Sequence, residues 1–259
     1  MRLIVTTALG AGREAKEQAL AFAAELGAVF VPRGRLGLES LLAASEADGA
    51  LVVGRRRVSF FFGGREFAFH PGTAVLRIKN LRSGKPDQMI QAMDLCSGDA
   101  VLDCTLGLGA DAIVASFVAG PEGRVVGIEK VPVVALVVGY GLRRYSFKED
   151  PVVEAAMRRI RVVAADHLDY LGRVPAEGFD VVYFDPFFRT PVRGACQLQP
   201  LRLLGEKAPL SNEALREAVR VARRRVVVKV RRGAGEPEYR FQHVVGGRHA
   251  RVVYGVIKK

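Results

Sequence analysis

A glycine-rich turn between an apolar strand and a helix is where this chain could bring its backbone close to a ligand. Residues 101–102 are apolar and end in Asp103, and glycines follow at Gly107 and Gly109. A helical pattern then runs from about residue 111 to residue 118. This order predicts a helix whose N-terminus opens toward a bound molecule, as in nucleotide-binding α/β sheets.

The position of Asp103 separates two cofactor classes that share this spacing. Gly107, Gly109 and Ala112 also fit the fingerprint for nicotinamide dinucleotides, and Glu129 follows at about the expected distance of 20 residues. A carboxylate before the glycines would repel the pyrophosphate of a dinucleotide. The same carboxylate would attract the amino group and the sulfonium of S-adenosylmethionine. The stretch favours S-adenosylmethionine and leaves a dinucleotide as the alternative.

Three further acids follow predicted strands, Glu129 after residues 124–128, Asp166 after 160–164 and Asp185 after 179–184. Because ligands bind beyond the carboxyl ends of parallel strands, we expect these acids to meet Asp103 at one edge of a sheet. Asp103 would face the methionine amino group, Glu129 the ribose hydroxyls, and Asp166 the adenine amine. A helix cap is the alternative role for Asp166. The candidate cofactor contacts are Asp103, Thr105, Gly107, Leu108, Gly109, Ala110, Asp111, Glu129, Lys130, Asp166, His167 and Asp185.

The reactive end is predicted at Asp185, Pro186, Phe187 and Phe188. The amine of a base is a poor nucleophile because its lone pair is delocalised into the ring. The Asp185 carboxylate and the Pro186 carbonyl could accept its two N–H bonds and aim the lone pair at a methyl carbon. A phenylalanine face could stack on the base, which is worth roughly 1–3 kcal/mol. The alternative is a turn after a buried strand, followed by two core phenylalanines.

Alternating strand and helix patterns predict an α/β fold, with a doubly wound, mostly parallel sheet of seven strands in a core over residues 76–259. Residues 1–75 are expected to form a small accessory α/β domain that ends in a hairpin, with the boundary within residues 70–86. A helix over residues 73–81 would leave Arg77 and Lys79 in solvent. A strand over residues 226–230 and an antiparallel pair over 239–245 and 250–257 would close the sheet.

The positive charge of the chain is concentrated near its C-terminal end. The net charge is +12, and residues 216–259 carry 13 basic and 3 acidic residues. Such a surface suits a polyanion, although robust proteins can also carry many surface arginines without a partner. The candidate RNA contacts are Arg223, Arg224, Arg225, Arg231 and Arg232.

Several protein classes are disfavoured by composition. We expect no membrane span, because no apolar run reaches 18 residues, and no secretory signal is recognisable at the N-terminus. The three cysteines are too scattered for a disulfide framework or a zinc site. We therefore expect buried thiols in a reducing cytoplasm and no metal.

Four stretches resemble class I methyltransferases, and most closely the bacterial 16S ribosomal RNA guanine-N2 methyltransferases that act on the small subunit. They are residues 103–111, 127–129, 181–188 and 220–229, and the likeness covers about residues 95–232. The segment from residue 1 through residues 77–79 is similar to uncharacterised bacterial relatives. The resemblance implies a cofactor pocket lined by residues 110–111, 129–130, 166 and 185. Phe187-Phe188 departs from the usual pattern of methionine, then tyrosine or phenylalanine, then proline.

Together these observations favour an S-adenosylmethionine-dependent methyltransferase acting on an exocyclic base nitrogen, with guanine N2 of ribosomal RNA as the expected target. The partner would be ribosomal RNA or the small ribosomal subunit. Two alternatives stay open. One is a methyltransferase of a protein or small-molecule amine or amide, and the other is a non-catalytic RNA-binding assembly factor.

Overall fold

The computed structural model describes residues 1–147, 149–186, 210–232 and 240–259. Two sheets organise these residues, one of five strands and one of seven. In the described part of the chain, no helix is both long and apolar enough to cross a membrane.

The N-terminal unit is built on the five-stranded sheet, in the order β2-β1-β3-β4-β5. The first three strands are parallel, and β4 and β5 form the predicted hairpin. Its elements are β1 (Leu3–Thr7), α1 (Arg13–Leu26), β2 (Val29–Phe30), α2 (Leu38–Ala44), β3 (Gly49–Val53), β4 (Val58–Phe62) and β5 (Arg65–Ala68). Two helices, α3 (Thr73–Arg82) and α4 (Gln88–Met93), lead from this unit to the larger sheet.

The larger sheet has the strand order β11-β12-β10-β9-β6-β7-β8. Its elements are β6 (Ala100–Asp103), α5 (Ala110–Ala119), β7 (Arg124–Glu129), α6 (Pro132–Arg144), α7 (Pro151–Arg158), β8 (Ile160–Ala164), α8 (His167–Arg173), β9 (Phe179–Phe184), α9 (Asn212–Val221), β10 (Ala222–Arg231), β11 (His243–Val245) and β12 (Val252–Lys258). The five strands from β10 to β8 are parallel, and β12 and β11 close the sheet antiparallel. The predicted mostly parallel sheet of seven strands is confirmed.

The two units share one apolar cluster, and α6 lies at the junction. Tyr140 on α6 contacts Phe22 edge-on, with ring centroids 6.0 Å apart. Gly141 allows close approach to Phe69, because a Cβ at Gly141 would lie 2.1 Å from that ring. The boundary at residue 75 therefore stays a prediction, since burial is continuous across it.

Three details of the sequence-based map differ from the structure. Helix α7 was not predicted, although Asp150 caps it by accepting from Val152 N at 3.2 Å and Pro151 begins it. Strand β10 begins at Ala222 and not at Val226, because Ala222 and Arg225 already pair with β9, with a register shift between them. Strand β11 covers only His243–Val245, and residues 233–239 lie outside the described part.

Candidate active site

The carboxyl ends of four parallel strands bring the predicted acids to one edge of the larger sheet. Strand β6 ends at Asp103 and β7 at Glu129, whereas Asp166 and Asp185 follow β8 and β9. These strands are neighbours in the order β9-β6-β7-β8. The sequence correctly anticipated this juxtaposition, and the role of each acid remains a prediction.

The turn after β6 holds Glu129 through backbone amides. Glu129 Oε2 accepts from Gly107 N at 3.1 Å, and Oε1 accepts from Val131 N at 2.9 Å. Gly109 has φ +77°, and a Cβ there would lie 3.5 Å from Val138, so the turn favours glycine. Burial raises the pKa of Glu129, and the backbone amides of Val131, Gly107 and Lys130 oppose that rise. The carboxylate is thereby fixed in orientation, and because it has about four lone-pair sites it keeps acceptor capacity for a ligand.

Asp103 is almost completely buried, with 2% of its surface exposed. Its Oδ1 accepts from Thr105 N at 3.0 Å. Burial raises the pKa of Asp103 to about 8, and the neighbouring Asp111 and Asp185 contribute to that rise. Asp103 is therefore largely uncharged at neutral pH, and a cation placed beside it would draw off its proton. This modifies the interpretation from sequence, which treated Asp103 as a standing charge.

We expect Asp103→Asn to stabilise the protein increasingly over the parent as the pH rises. Because the folded pKa of Asp103 is about 8, against about 4 in an unfolded chain, the folded parent holds a proton that the unfolded chain releases. Parent stability should fall between those pH values by on the order of 1 kcal/mol per pH unit. Asparagine removes this dependence. Urea unfolding without cofactor at pH 5, 6, 7 and 8 measures the gap, and parallel stability curves would refute the assignment.

Buried polar contacts hold Asp185 at the end of β9. Its backbone N donates to Thr105 Oγ1 at 2.6 Å. Lys229 on β10 donates from Nζ to Asp185 Oδ2 at 2.8 Å and to Asp111 Oδ2 at 3.1 Å. Burial raises the pKa of Asp185 to about 6, and Lys229 opposes that rise. Asp185 is therefore an ionised acceptor at neutral pH.

Asp111 is the junction of this network. Tyr183 donates its hydroxyl to Asp111 Oδ2 at 2.8 Å, and Arg77 pairs with the other oxygen. Burial would raise the pKa of Asp111, but Lys229 and Arg77 outweigh it and lower that pKa to about 2. Arg77 also binds Asp87 through two nitrogens, at 2.7 and 2.9 Å. The expectation that Arg77 lies in solvent was wrong, because two carboxylates draw it inward from α3.

Asp166 caps α8, as the alternative reading of its role anticipated. Its Oδ1 accepts from Leu168 N at 2.8 Å, and Lys130 Nζ lies 3.1 Å from Oδ2. Burial would raise the pKa of Asp166, but these partners lower it. His167 begins α8 with its ring edge-on to Phe184 at 5.7 Å. An adenine contact by Asp166 remains a prediction alongside this cap.

The remaining predicted site residues are placed unevenly. Leu108 lies half-buried in the turn, and Ala110 begins α5. Pro186 is half-buried directly after Asp185. Phe187 and Phe188 lie outside the described residues.

The five arginines predicted to bind RNA lie at opposite ends of β10. The first three, Arg223, Arg224 and Arg225, open the strand and form ion pairs with Asp180, Asp99 and Asp94 respectively. They lie at the sheet edge opposite the acids. Arg231 and Arg232 lie at the end nearer Asp185. The ion pairs neutralise the first group in the folded protein, and RNA contact by either group stays a prediction.

Lys229 and Tyr183 were not singled out as functional residues from the sequence. Lys229 is the lone charged side chain in the apolar run 226–230, a signal that could have identified it. Burying an ammonium in a strand requires a partner, and here two carboxylates provide it.

Comparison with known proteins then identifies the family. A family model described as "Putative SAM-dependent methyltransferase" matches residues 63–251. The chain is 38% identical to "Uncharacterized protein YpiP" of Bacillus subtilis, over 98% of this chain and 99% of that protein. It is 34% identical to ribosomal RNA small subunit methyltransferase J of Alkalilimnicola ehrlichii, over 79% of this chain and 73% of that protein. Ribosomal RNA small subunit methyltransferase J of Mannheimia succiniciproducens is 31% identical, over 73% of this chain and 75% of that protein.

A solved structure shows the same fold over almost the whole chain. The SAM-dependent methyltransferase of Neisseria gonorrhoeae aligns over 98% of this chain and 95% of that chain, with a TM-score of 0.67 and 19% identity. At this identity the likeness concerns the fold alone.

S-adenosylmethionine is the cofactor of this family, and the donor set at the sheet edge fits it. The buried carboxyl of Asp103 would ionise beside a cation, and Glu129 keeps acceptor capacity for hydroxyl groups. The family match over residues 63–251 decides against the dinucleotide alternative. The chain belongs to the family of S-adenosylmethionine-dependent methyltransferases.

Proposed function

We propose that this protein methylates an exocyclic nitrogen of an RNA base, with guanine N2 of ribosomal RNA as the target. The observation that carries the proposal is the placement of Asp185. Thr105 and Lys229 fix it at the cofactor edge, and 29% of its side chain remains exposed. The relatives named ribosomal RNA small subunit methyltransferase J support the choice of substrate. Such a substrate would place the protein in the cytoplasm.

The chemistry requires acceptors for the hydrogens of the target amine. The Asp185 carboxylate and the Pro186 carbonyl accept its two N–H bonds, which favours a pyramidal nitrogen with its lone pair available. S-adenosylmethionine supplies the methyl group. Positive charge develops on the nitrogen as the new bond forms, and the fixed carboxylate stabilises it. Asp185, with a pKa of about 6, is also placed to take the proton that the methylated nitrogen releases.

Three acids would hold the cofactor. Glu129 would accept from the ribose hydroxyls through the acceptor capacity that the backbone amides leave unused. Asp103 would face the methionine amino group, and Asp166 would face the adenine amine. Positive backbone φ values at Gly107 and Gly109 let the chain turn closely around this ligand.

We expect Glu129→Gln to weaken S-adenosylmethionine binding by roughly 10- to 100-fold, because it removes hydrogen bonds to a charged acceptor worth about 1.5–3 kcal/mol. The side-chain amide would also face the N–H of Gly107 or Val131. Titration calorimetry with S-adenosylmethionine measures the loss. The matched control is Glu177→Gln, an exposed glutamate in the connection between α8 and β9 that pairs with Lys259. An affinity loss confined to RNA, with cofactor binding intact, would reject the ribose contact.

Methyl transfer to ribosomal RNA tests the proposed function directly. Purified protein, labelled S-adenosylmethionine and either naked 16S RNA or small subunits from a deletion strain are combined, and modified nucleosides are mapped by mass spectrometry. N2-methylguanosine that appears only with the protein is the expected result. Label in a protein extract and none in RNA would favour the amine or amide alternative. Cofactor binding without any transfer would favour the assembly factor.

A further inference from the structure

A basic groove lies on the larger sheet beside its edge strand. Its floor is formed by β7 and β8 and its wall by α8, and its volume is about 810 Å³. It runs from the amino ends of these strands to Asp166 at the cofactor edge. The groove exists because α8 packs toward α9 and β7 and leaves the outer face of β8 uncovered. We call it the β8 groove.

Two arginines in the β8 groove have no partner among the residues that the structure describes. Arg161 on β8 and Arg173 on α8 are both exposed, and neither forms an ion pair or hydrogen bond with any residue that the structure describes. This distinguishes them from Arg223, Arg224 and Arg225, whose charges are taken up by aspartates. Their guanidinium groups are available for an anionic ligand.

Two more arginines line the amino end of the β8 groove and are anchored in place. Arg124 lies over the ring of Phe179, 4.4 Å from its centroid, and donates to Gly178 O at 2.7 Å. Arg159 donates from Nη2 to Ser116 O at 2.9 Å, while its buried Nε has no hydrogen-bond partner among the described residues. Each anchor leaves part of the guanidinium unused, so the positive charge of the groove is held in position.

The other end of the β8 groove differs in character. Tyr170 on α8 lines it and offers an aromatic face. Asp166 and Asp169 also lie there, and Asp166 is paired with Lys130. Positive charge thus dominates the end away from the cofactor, and an aromatic ring and two acids lie nearer to it.

We propose that the β8 groove binds the backbone of a single-stranded RNA segment that flanks the target base. A positively charged groove combined with an aromatic platform is how proteins hold single strands irrespective of sequence. The groove opens at the edge where Asp166 and Asp185 follow their strands, and β8 lies three strand spacings, about 14 Å, from β9. This inference rests on the proposed function and adds where the substrate lies.

A second copy of the chain is a poorer occupant of the β8 groove. A two-fold contact would set the same surface against itself and bring the arginines of the two copies together. Of the two acids that line the groove, Asp166 is already paired with Lys130, which leaves Asp169 to offset both Arg161 and Arg173 in that contact. Edge protection, in which Arg161 only discourages strand pairing, is the remaining alternative, and it predicts no effect on RNA binding.

The test is the salt dependence of RNA binding by Arg161→Gln/Arg173→Gln. Binding of a fluorescein-labelled 12-nucleotide oligouridine is measured by anisotropy from 0.05 to 0.5 M NaCl. Two lost phosphate contacts should make the slope of log K against log salt less steep by about 1.4. Across the tenfold range of salt, the affinity ratio of parent to variant should therefore change by about 25-fold. The double variant Arg161→Lys/Arg173→Lys should keep the parent slope.

The control is Arg35→Gln/Arg216→Gln, which removes two exposed arginines outside the groove and should leave the slope unchanged. An unchanged slope in Arg161→Gln/Arg173→Gln would overturn the proposal, as would an equal loss in the control. The proposal would also be overturned if sedimentation showed a changed oligomeric state for Arg161→Gln/Arg173→Gln while its RNA binding stayed intact. Failure of the proposed function can be distinguished from failure of this inference. A parent protein that transfers no methyl group to RNA can still bind RNA with a salt dependence that Arg161→Gln/Arg173→Gln reduces.

Discussion

Replacing Asp185 by asparagine is expected to lower kcat for RNA methylation by about 10²- to 10³-fold, the loss typical of a group that stabilises transition-state charge. Asparagine keeps the shape of the side chain but places a neutral amide where positive charge develops on the amine. Its NH₂ group cannot accept the target N–H. Cofactor affinity should change far less than kcat, since Asp185 acts on the nucleophile. Single-turnover methyl transfer and calorimetry separate the two quantities.

Asp94→Asn is the matched control for this prediction. Asp94 lies at the opposite sheet edge, 61% exposed at its side chain, and pairs with Arg225. Its φ of +49° is a conformation that asparagine adopts readily, so the same chemical change should be tolerated there. Equal loss of activity in both variants, or a kcat for Asp185→Asn within a few-fold of the parent, would remove Asp185 from the reaction.

The position of the acids could be predicted because strand ends are local features. An apolar run followed by an acid marks the end of a buried strand, and parallel strands share one carboxyl edge. Asp103, Glu129, Asp166 and Asp185 were therefore brought together correctly from sequence alone. The glycines at 107 and 109 indicate the same edge, because they allow a tight turn directly after β6.

The partners of charged residues could not be predicted, because they depend on contacts distant in sequence. Arg77 reaches Asp111, 34 positions along the chain, and Lys229 reaches Asp111 across 118 positions. Helical spacing placed Arg77 in solvent, yet the packing of α3 against α5 turns it toward the site. Residues 223–225 were likewise assigned to a basic surface from their charge alone. In the structure, aspartates from three other segments neutralise these arginines.

We expect Lys229→Met to move the acidic limb of the pH–rate profile to higher pH by about 1–3 units, the range by which a neighbouring cation lowers the pKa of a carboxyl group. In the parent, activity should fall as the pH drops through about 6, where Asp185 becomes protonated. Without the ammonium 2.8 Å away, burial raises the pKa of Asp185 further. At pH 7 the variant should lose on the order of tenfold in kcat, and raising the pH should restore most of it.

Loss of stability must be separated from this effect, since Lys229→Met leaves Asp111 and Asp185 without their shared cation, and breaking such a buried pair costs about 3–5 kcal/mol. Destabilisation lowers the folded fraction at every pH but does not move the limb. Lys229→Arg keeps the charge and should retain the parent profile even where its packing is imperfect. If Lys229→Met is folded by near-ultraviolet circular dichroism and its limb stays at the parent position, Asp185 is not the group whose protonation limits the reaction. A limb that moves in Lys229→Met and not in Lys229→Arg assigns the titration to Asp185, because only the removal of positive charge distinguishes the two variants.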